Sequence, residues 1–291
     1  MKETIMKQYL WPFVAVAALA ACDGPAVVGA PTPDEVITGG GVCDEAAKIY
    51  CLDEANKFVY DAKTDTISIN NLPFDLAGQY SAVAGMTING YQVYRNDAGA
   101  RTYYAIYVPG KNDVTAASVV ATGDWLDYGY SGTMYRGTGE VNLPTNAQAS
   151  YAGTYQGIRV YKDGGVADLT TGDINMVVDF EDFDNTGAIT TSIGNRVAYN
   201  FDGSVRGALP GLAVVDTYHE DGVIKDTTAY EVNADGSTGS TGTLSGIFGG
   251  TNGDQIAGVL VLSGQDALSA SGTNVQETAA FVIDQVSLIV P

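Results

Sequence analysis

Three cysteines, a single histidine and a short run of carboxylates are the residues of this 291-residue chain whose chemistry could concentrate at one point. Cys22 follows Leu19-Ala20-Ala21, while Cys43 and Cys51 stand with seven residues between them. That spacing is compatible with a small disulfide loop. Two buried free thiols are the alternative, less suited to an oxidising compartment. A Cys-His metal site is not expected, because His219 is the only histidine and lies far along the chain. His219 sits between Tyr218 and Glu220, ahead of Asp221-Gly222. No nucleophile with an oriented base surrounds it in sequence, so it reads as a surface turn histidine. Asp179, Glu181, Asp182 and Asp184 form the densest acidic cluster. Calcium needs about six to eight oxygens held by a defined loop, and the Asp-x-Asp-x-Asp-Gly spacing is missing, so a solvated strand end is the expected reading. Asn233, Asp235 and Gly236 likewise read as a turn. No catalytic residue, metal or cofactor is assigned.

Eighteen tyrosines offer a different chemistry, that of contact. Tyr103, Tyr104 and Tyr107 fall in one apolar stretch, and Tyr128, Tyr130 and Tyr135 crowd a Gly-rich region. Tyrosine suits half-buried sheet positions by propensity, which favours packing. It is also a preferred contact residue in recognition surfaces, being large with few rotors. If a ligand-binding surface exists, Trp125, Tyr128, Tyr130 and Tyr135 are the residues to place on it.

The elements that carry these residues begin with a leader. Lys2 and Lys7 precede the apolar run Leu10–Ala21, and small residues stand directly before Cys22. This is the layout of a secretory signal. The run is shorter than the ~20 residues a spanning helix needs. A cysteine after Leu19-Ala20-Ala21 resembles the lipobox of bacterial lipoproteins, in which that cysteine becomes the acylated first residue. Cys22 is therefore the expected lipidation site, and an outer-membrane location on the surface or periplasmic face is the expected destination. Asp23 resembles an inner-membrane retention signal of some bacteria, which leaves the choice of membrane open. Residues 22–42, rich in Pro and Gly and ending in Gly39-Gly40-Gly41, read as a flexible tether.

Without residues 1–21 the chain carries 12 basic and 33 acidic residues, a net charge near −21. So acidic a surface repels nucleic acid and anionic headgroups, so no nucleic-acid partner is expected. With 45% hydrophobic residues the composition is not that of a disordered chain, and about 250 residues suffice for one large β domain or two smaller ones.

A helix is expected only near Asp44–Lys57, where Ala46, Ala47, Ile49, Tyr50 and Ala55 give a weak apolar face. From Tyr60 the alternation is that of strands: Thr66–Asn70, Tyr91–Arg95, Thr102–Val108, Ala116–Ala121 and Met134–Val141. Asn96-Asp97-Ala98-Gly99 makes a hairpin-grade turn. Beyond Ala149 the candidates are Thr154–Tyr161, Ile174–Phe180, Ala188–Ile193, Arg196–Phe201, Ala213–Tyr218, Ala229–Asn233, Thr243–Phe248, Ile256–Leu262 and Ala280–Val286, with Gly194-Asn195 as a turn. Many short strands joined by Gly, Asn and Asp imply a sandwich or an up-and-down barrel, and closure is favoured because it leaves no edges. Glycines beside aromatics, such as Gly246, Gly249, Gly250 and Gly258 around Phe248, fit the kinks of a small barrel.

Leu244-Ser245-Gly246-Ile247-Phe248-Gly249-Gly250 followed by Gln255-Ile256-Ala257-Gly258-Val259 resembles a motif of the transferrin-binding protein B family. Ser150–Gly157 looks like the opening strand of that family's barrel, and Gly172-Asp173 through Phe180, then Gly194-Asn195-Arg196, are similar to its second and third strands. The resemblance covers roughly residues 149–286. It implies an all-β fold: an eight-stranded antiparallel barrel at 146–291, preceded by a smaller strand-rich handle at 43–145. Family members carry two such lobes, whereas this chain has room for one, so transferrin capture is not carried over. No contact residue transfers, because the matching positions are structural glycines and aromatics.

Three functions are open at this level. The first is a lipid-anchored binding protein at the outer membrane, held by Cys22 and spaced by the tether, with a protein or small-molecule ligand. The second is a periplasmic, lipocalin-like carrier, since eight strands lie at the boundary between a filled interior and a cavity. The third, an integral outer-membrane barrel, is disfavoured by the lipobox-like cysteine and by expected strands shorter than the ~9 to 11 residues needed to span. An enzyme is the least supported class.

Overall fold

Nineteen strands make up the computed structural model, which describes residues 39–111, 114–124, 126–181, 189–215 and 217–290, and burial alternates with period two in several of them, Thr66–Asn70 and Ile189–Tyr199 among them. The first nine are β1 (Gly39–Val42), β2 (Ile49–Asp53), β3 (Lys57–Asp61), β4 (Thr66–Asn70), β5 (Gln79–Ile88), β6 (Tyr91–Asn96), β7 (Tyr103–Pro109), β8 (Thr115–Thr122) and β9 (Tyr130–Gly137). The rest are β10 (Gln148–Tyr161), β11 (Gly165–Asp179), β12 (Ile189–Tyr199), β13 (Val205–Ala208), β14 (Gly211–Val215), β15 (His219–Glu220), β16 (Val223–Val232), β17 (Thr238–Gly249), β18 (Gln255–Gln265) and β19 (Asn274–Ile289).

The second group forms the barrel. Strands β11, β10, β19, β18, β17, β16, β14 and β12 pair in that order, and β12 returns to β11, so eight antiparallel strands close into a ring. Closure leaves no long edge to be protected. Inside the ring Tyr151, Met176, Leu244, Phe248, Leu260 and Phe281 belong to one buried apolar cluster. Gly258 faces inward against Phe281, and a Cβ there would overlap that ring and the Ser245 carbonyl. The first group forms a second sheet, ordered β1-β3-β4-β5-β6-β7-β8-β9-β2 and curled around its own cluster of Phe58, Ile67, Tyr80, Tyr103 and Met134. A third cluster joins the two: Ile158, Val160, Val259 and Ala280 on the outside of the barrel meet Ile106, Val119 and Tyr135 of the first sheet. Fully burying such side chains stabilises by roughly 1.5–3 kcal/mol each.

Several expectations need correction. Asp44–Lys57 is not a helix. A single 3-10 turn at Glu45–Ala47, capped by Asp44, stops at Lys48 in the left-handed region, and Ile49–Asp53 then pairs with β9. The β-branched and aromatic residues after Lys48 gain more from that pairing than one weak helical face offers. The ordered body also begins before residue 43, because Gly39–Val42 pairs with β3. Lacking side chains, Gly39 and Gly40 lie directly on the Tyr107 ring and the Phe58 carbonyl. Gly194-Asn195 is not a turn but an irregularity within one continuous strand, β12, with Asn195 at φ 49°. The first sheet, with nine strands over Gly39–Gly137, is the smaller strand-rich unit expected ahead of the barrel.

Strand length was underestimated too. Strand β10 has 14 residues, β11 15 and β19 16, so length does not distinguish this barrel from a spanning one. The outward side chains do. Asp173, Asn175, Thr190, Ser192, Thr228 and Thr241 are exposed, polar positions where a bilayer would require apolar ones.

Candidate functional site

Cys43 and Cys51 form a disulfide, with Cα atoms 5.8 Å apart. Cys43 follows edge strand β1 and Cys51 lies in edge strand β2, so the bridge clamps the one gap in the curled first sheet. Arg136 Nη1 of β9 reinforces it by donating to the Gly40 carbonyl at 2.8 Å. Cys22 and Trp125 lie outside the described residues, as do Asp182 and Asp184. Asp179 ends β11, where its Oδ1 accepts from the Glu181 amide.

The three remaining tyrosines of the expected surface are not brought together on one face. Tyr135 is 3% exposed and stacked on Tyr50, ring centroids 5.2 Å apart, within the cluster between the two sheets. Tyr130 is half-buried at the start of β9, against the core of the first sheet. Tyr128 is half-buried in the β8–β9 loop, and Lys162 Nζ lies 5.9 Å from its ring centroid. That loop is tied to the β10–β11 hairpin of the barrel: the Asp163 amide donates to the Asp127 carbonyl and the Gly165 amide to the Gly123 carbonyl. Arg101, Asp124, Leu126 and Asp163 line a cleft of about 590 Å³ there.

The barrel interior holds the constellation that the sequence did not reveal. At the end opposite Tyr151 and Phe248, three guanidinium groups meet four carboxylates. Arg159 donates to Asp168 at 2.9 Å and to Asp266 at 2.7 Å. Arg196 donates to Glu231 and Glu277, both at 2.8 Å, to the Pro210 carbonyl and to the Tyr155 hydroxyl. Arg206 bridges Asp168 and Asp266 from the rim. Arg159 and Arg196 are 2% and 1% exposed, so these are interior charges. Burial acts against the Arg196 charge, but Glu277, Tyr155 and Glu231 outweigh it and strengthen its hold on the proton. Burial pushes the Asp168 carboxyl up against the pull of Arg159 and Arg206. Burial also tends to raise Asp266, yet hydrogen bonds from Arg159 and the Leu268 amide hold it below the usual range.

The other end of the barrel is apolar and covered. Val141 and Leu143, from the segment joining β9 to β10, pack against the interior cluster. The Asn142 amide donates to the Thr251 carbonyl, pinning that segment across the mouth. His219, expected at a surface turn, is instead half-buried in β15 and packs against Phe180 and Phe248 at 5.9 and 5.2 Å. Burial lowers its pKa, and the ring forms part of the wall of this end.

No family model and no curated protein sequence matches the chain. Solved structures with a similar arrangement of strands include a double mutant of transferrin-binding protein B from Haemophilus parasuis Hp5. It is 12% identical with TM-score 0.40, and the match covers 81% of this chain and 44% of that one. A protein described as a surface lipoprotein matches at 11% identity and TM-score 0.37, covering 82% of this chain and 99% of that one. Transferrin-binding protein B from serogroup B Neisseria meningitidis matches at 13% identity and TM-score 0.33, over 82% and 43%. This chain thus spans less than half the length of the two transferrin-binding proteins. These are likenesses of fold.

Proposed function

We propose that this protein is an exported lipoprotein, acylated at Cys22, that acts as a binding protein at the outer membrane through loops of its two sheets. The observation that carries the reading is the filled barrel. A carrier of the lipocalin kind needs an interior space for its ligand. Here one end of the interior is occupied by Arg159, Arg196 and their carboxylates, and the other by Tyr151, Phe248, Val141 and Leu143. Contact with a partner then falls to the outside of the molecule. The lipobox-like Leu19-Ala20-Ala21-Cys22 supplies the anchor in this reading, and the polar outward positions of β11 and β12 suit a body held in water.

Protease shaving of intact cells, with and without outer-membrane permeabilisation, tests it. Release from intact cells is the expected result, together with loss of membrane retention in Cys22→Ala. Protection until permeabilisation would move the protein to the periplasmic face, and membrane retention of Cys22→Ala would remove the lipid anchor.

A further inference from the structure

The β4–β5 loop, Asn71–Gly78, has a backbone that its side chains disfavour. Asn71, Phe74, Leu76 and Gly78 have φ of 68°, 66°, 55° and 61°. For bulky residues such as Phe and Leu this region is a genuine outlier, held only where the surroundings over-determine it. The surroundings do so here. Asp75, 4% exposed between the two, accepts from the Tyr80 hydroxyl at 3.2 Å, and its carbonyl accepts from Asn96 Nδ2 at 2.8 Å. The Tyr103 hydroxyl donates to the Pro73 carbonyl at 2.7 Å. Gly99 rests on the Phe74 carbonyl, where any Cβ would collide. What this scaffold holds outward is apolar: Phe74 is 47% and Leu76 74% exposed.

These two are not scattered. Among the described residues of the first sheet, the exposed large apolar side chains are Val42, Phe74, Leu76 and Leu126, the last 75% exposed. All four sit at the same end, Val42 opposite Lys57 at the start of β3 and the others on the β4–β5 and β8–β9 loops. The loops form a continuous row. Gly99 of the β6–β7 loop touches Phe74, Thr102 donates its amide to Asp124 Oδ2 at 3.1 Å, and the β8–β9 loop is bonded to the β10–β11 hairpin. Charge on this row is negative. Asp97 and Asp127 are offset by Arg95 and Lys162, leaving Asp53, Glu54, Asp124 and Asp163 against two further cations, Lys57 and Arg101.

We propose that this loop end is a docking face for a protein partner that presents basic side chains around an apolar recess, with Phe74 and Leu76 as the anchors that enter it. The proposal rests on the binding-protein reading and names the partner's chemistry. Pre-organised apolar anchors spare the ordering cost of association, which is what backbone strain at exposed positions supplies. The acidic surround excludes acidic partners and steers basic ones.

Three labelled peptides of equal length, Lys/Leu-rich, Glu/Leu-rich and Lys/Ser-rich, titrated against the full chain by fluorescence anisotropy, test the chemistry. The Lys/Leu-rich peptide is expected to bind at least tenfold more tightly than either other, and less tightly as salt is raised. Phe74→Ser with Leu76→Ser should weaken it tenfold or more, while Val205→Ser with Val232→Ser, on the barrel, should not. Phe74→Gly with Leu76→Gly relieves the left-handed backbone, so the Tm should rise by about 3 °C while binding is lost. Equal binding to the Phe74/Leu76 variants, equal binding of the Glu/Leu-rich peptide, or no binding at all would overturn the proposal. Cell shaving reads export independently, so a failed titration discards this face and leaves the lipoprotein reading standing.

Discussion

The two sheets of this molecule keep polar groups in their interiors by different means. In the barrel, long strands enclose Arg159 and Arg196 so far from solvent that their partners must be buried too: Asp168, Asp266, Glu231 and Glu277. In the first sheet the polar groups are tyrosine hydroxyls, whose rings fill the core while each oxygen bonds a loop side chain or carbonyl. Tyr94 donates to Asp65 at 2.7 Å, Tyr80 to Asp75 and Tyr103 to the Pro73 carbonyl. Closure differs in the same way. The barrel closes by backbone pairing of β11 with β12, and the first sheet leaves a gap that Cys43–Cys51 spans. An interior with buried ions is sensitive to loss of one partner, whereas tyrosines at a rim tolerate more.

The largest expected effect is therefore in the barrel. Arg196→Met leaves Glu231 without its guanidinium and Glu277 with only the more distant Arg159, and should cost about 3–5 kcal/mol in denaturant unfolding. Tyr94→Phe in the first sheet, which removes one hydroxyl and its bond to Asp65, should cost about 1 kcal/mol. Equal losses from the two substitutions would erase the contrast.

Next is the pH response of Asp75, whose carboxyl burial pushes up to about 6, against the opposing hydrogen bond from Tyr80. The folded chain keeps this proton until about pH 6, while the unfolded chain releases it near 3.8. Between those values the folded state binds more protons, so the contribution of Asp75 is full at acid pH and falls as pH rises, by at most ~3 kcal/mol. Hydrogen exchange in residues 71–78 should accelerate from pH 4 to 7, beyond the intrinsic base-catalysed rise, and Asp75→Asn should flatten that excess. Asp266, held low, acts in the opposite sense in the barrel: its contribution is present at neutral pH and is lost on acidification.

Cys43→Ser with Cys51→Ser should cost about 2–3 kcal/mol, because the closed loop is short. Its exchange signature should centre on β1 and β2 and leave β10–β19 protected. The smallest effect is expected for Tyr50→Leu, which removes the stack on Tyr135 between the sheets at a cost of about 0.5–1.5 kcal/mol. A larger loss there would mean that the two sheets stand or fall through that contact.

Much of the strand inventory was legible because alternation is a local signal. Thr66–Asn70 is strand β4 as read, and Asn96-Asp97-Ala98-Gly99 does join β6 to β7. Failures came where local signals competed with distant ones. Ala46, Ala47 and Ala55 have a helical rhythm, yet the pairing of Ile49–Asp53 with β9, some eighty residues on, decides their conformation. Gly194-Asn195 has turn chemistry, but flanking pairs with β11 carry the strand straight through. Tyr135 resembles a contact residue in composition, and the packing of one sheet on the other buries it.

The amino-acid order by itself determined that this chain would be built of strands, that Cys43 and Cys51 were near enough to join, and that its surface would be acidic. It also carries the Cys22 signal on which the proposed anchor depends. Which carboxylates among 34 would meet Arg159 and Arg196 was decided only when the ring closed. Arg159 finds Asp266 across 107 residues and Arg196 finds Glu277 across 81. Side-chain parity says which residues point inward, but the stagger between strands says which of them share a level, and stagger is a property of the closed barrel.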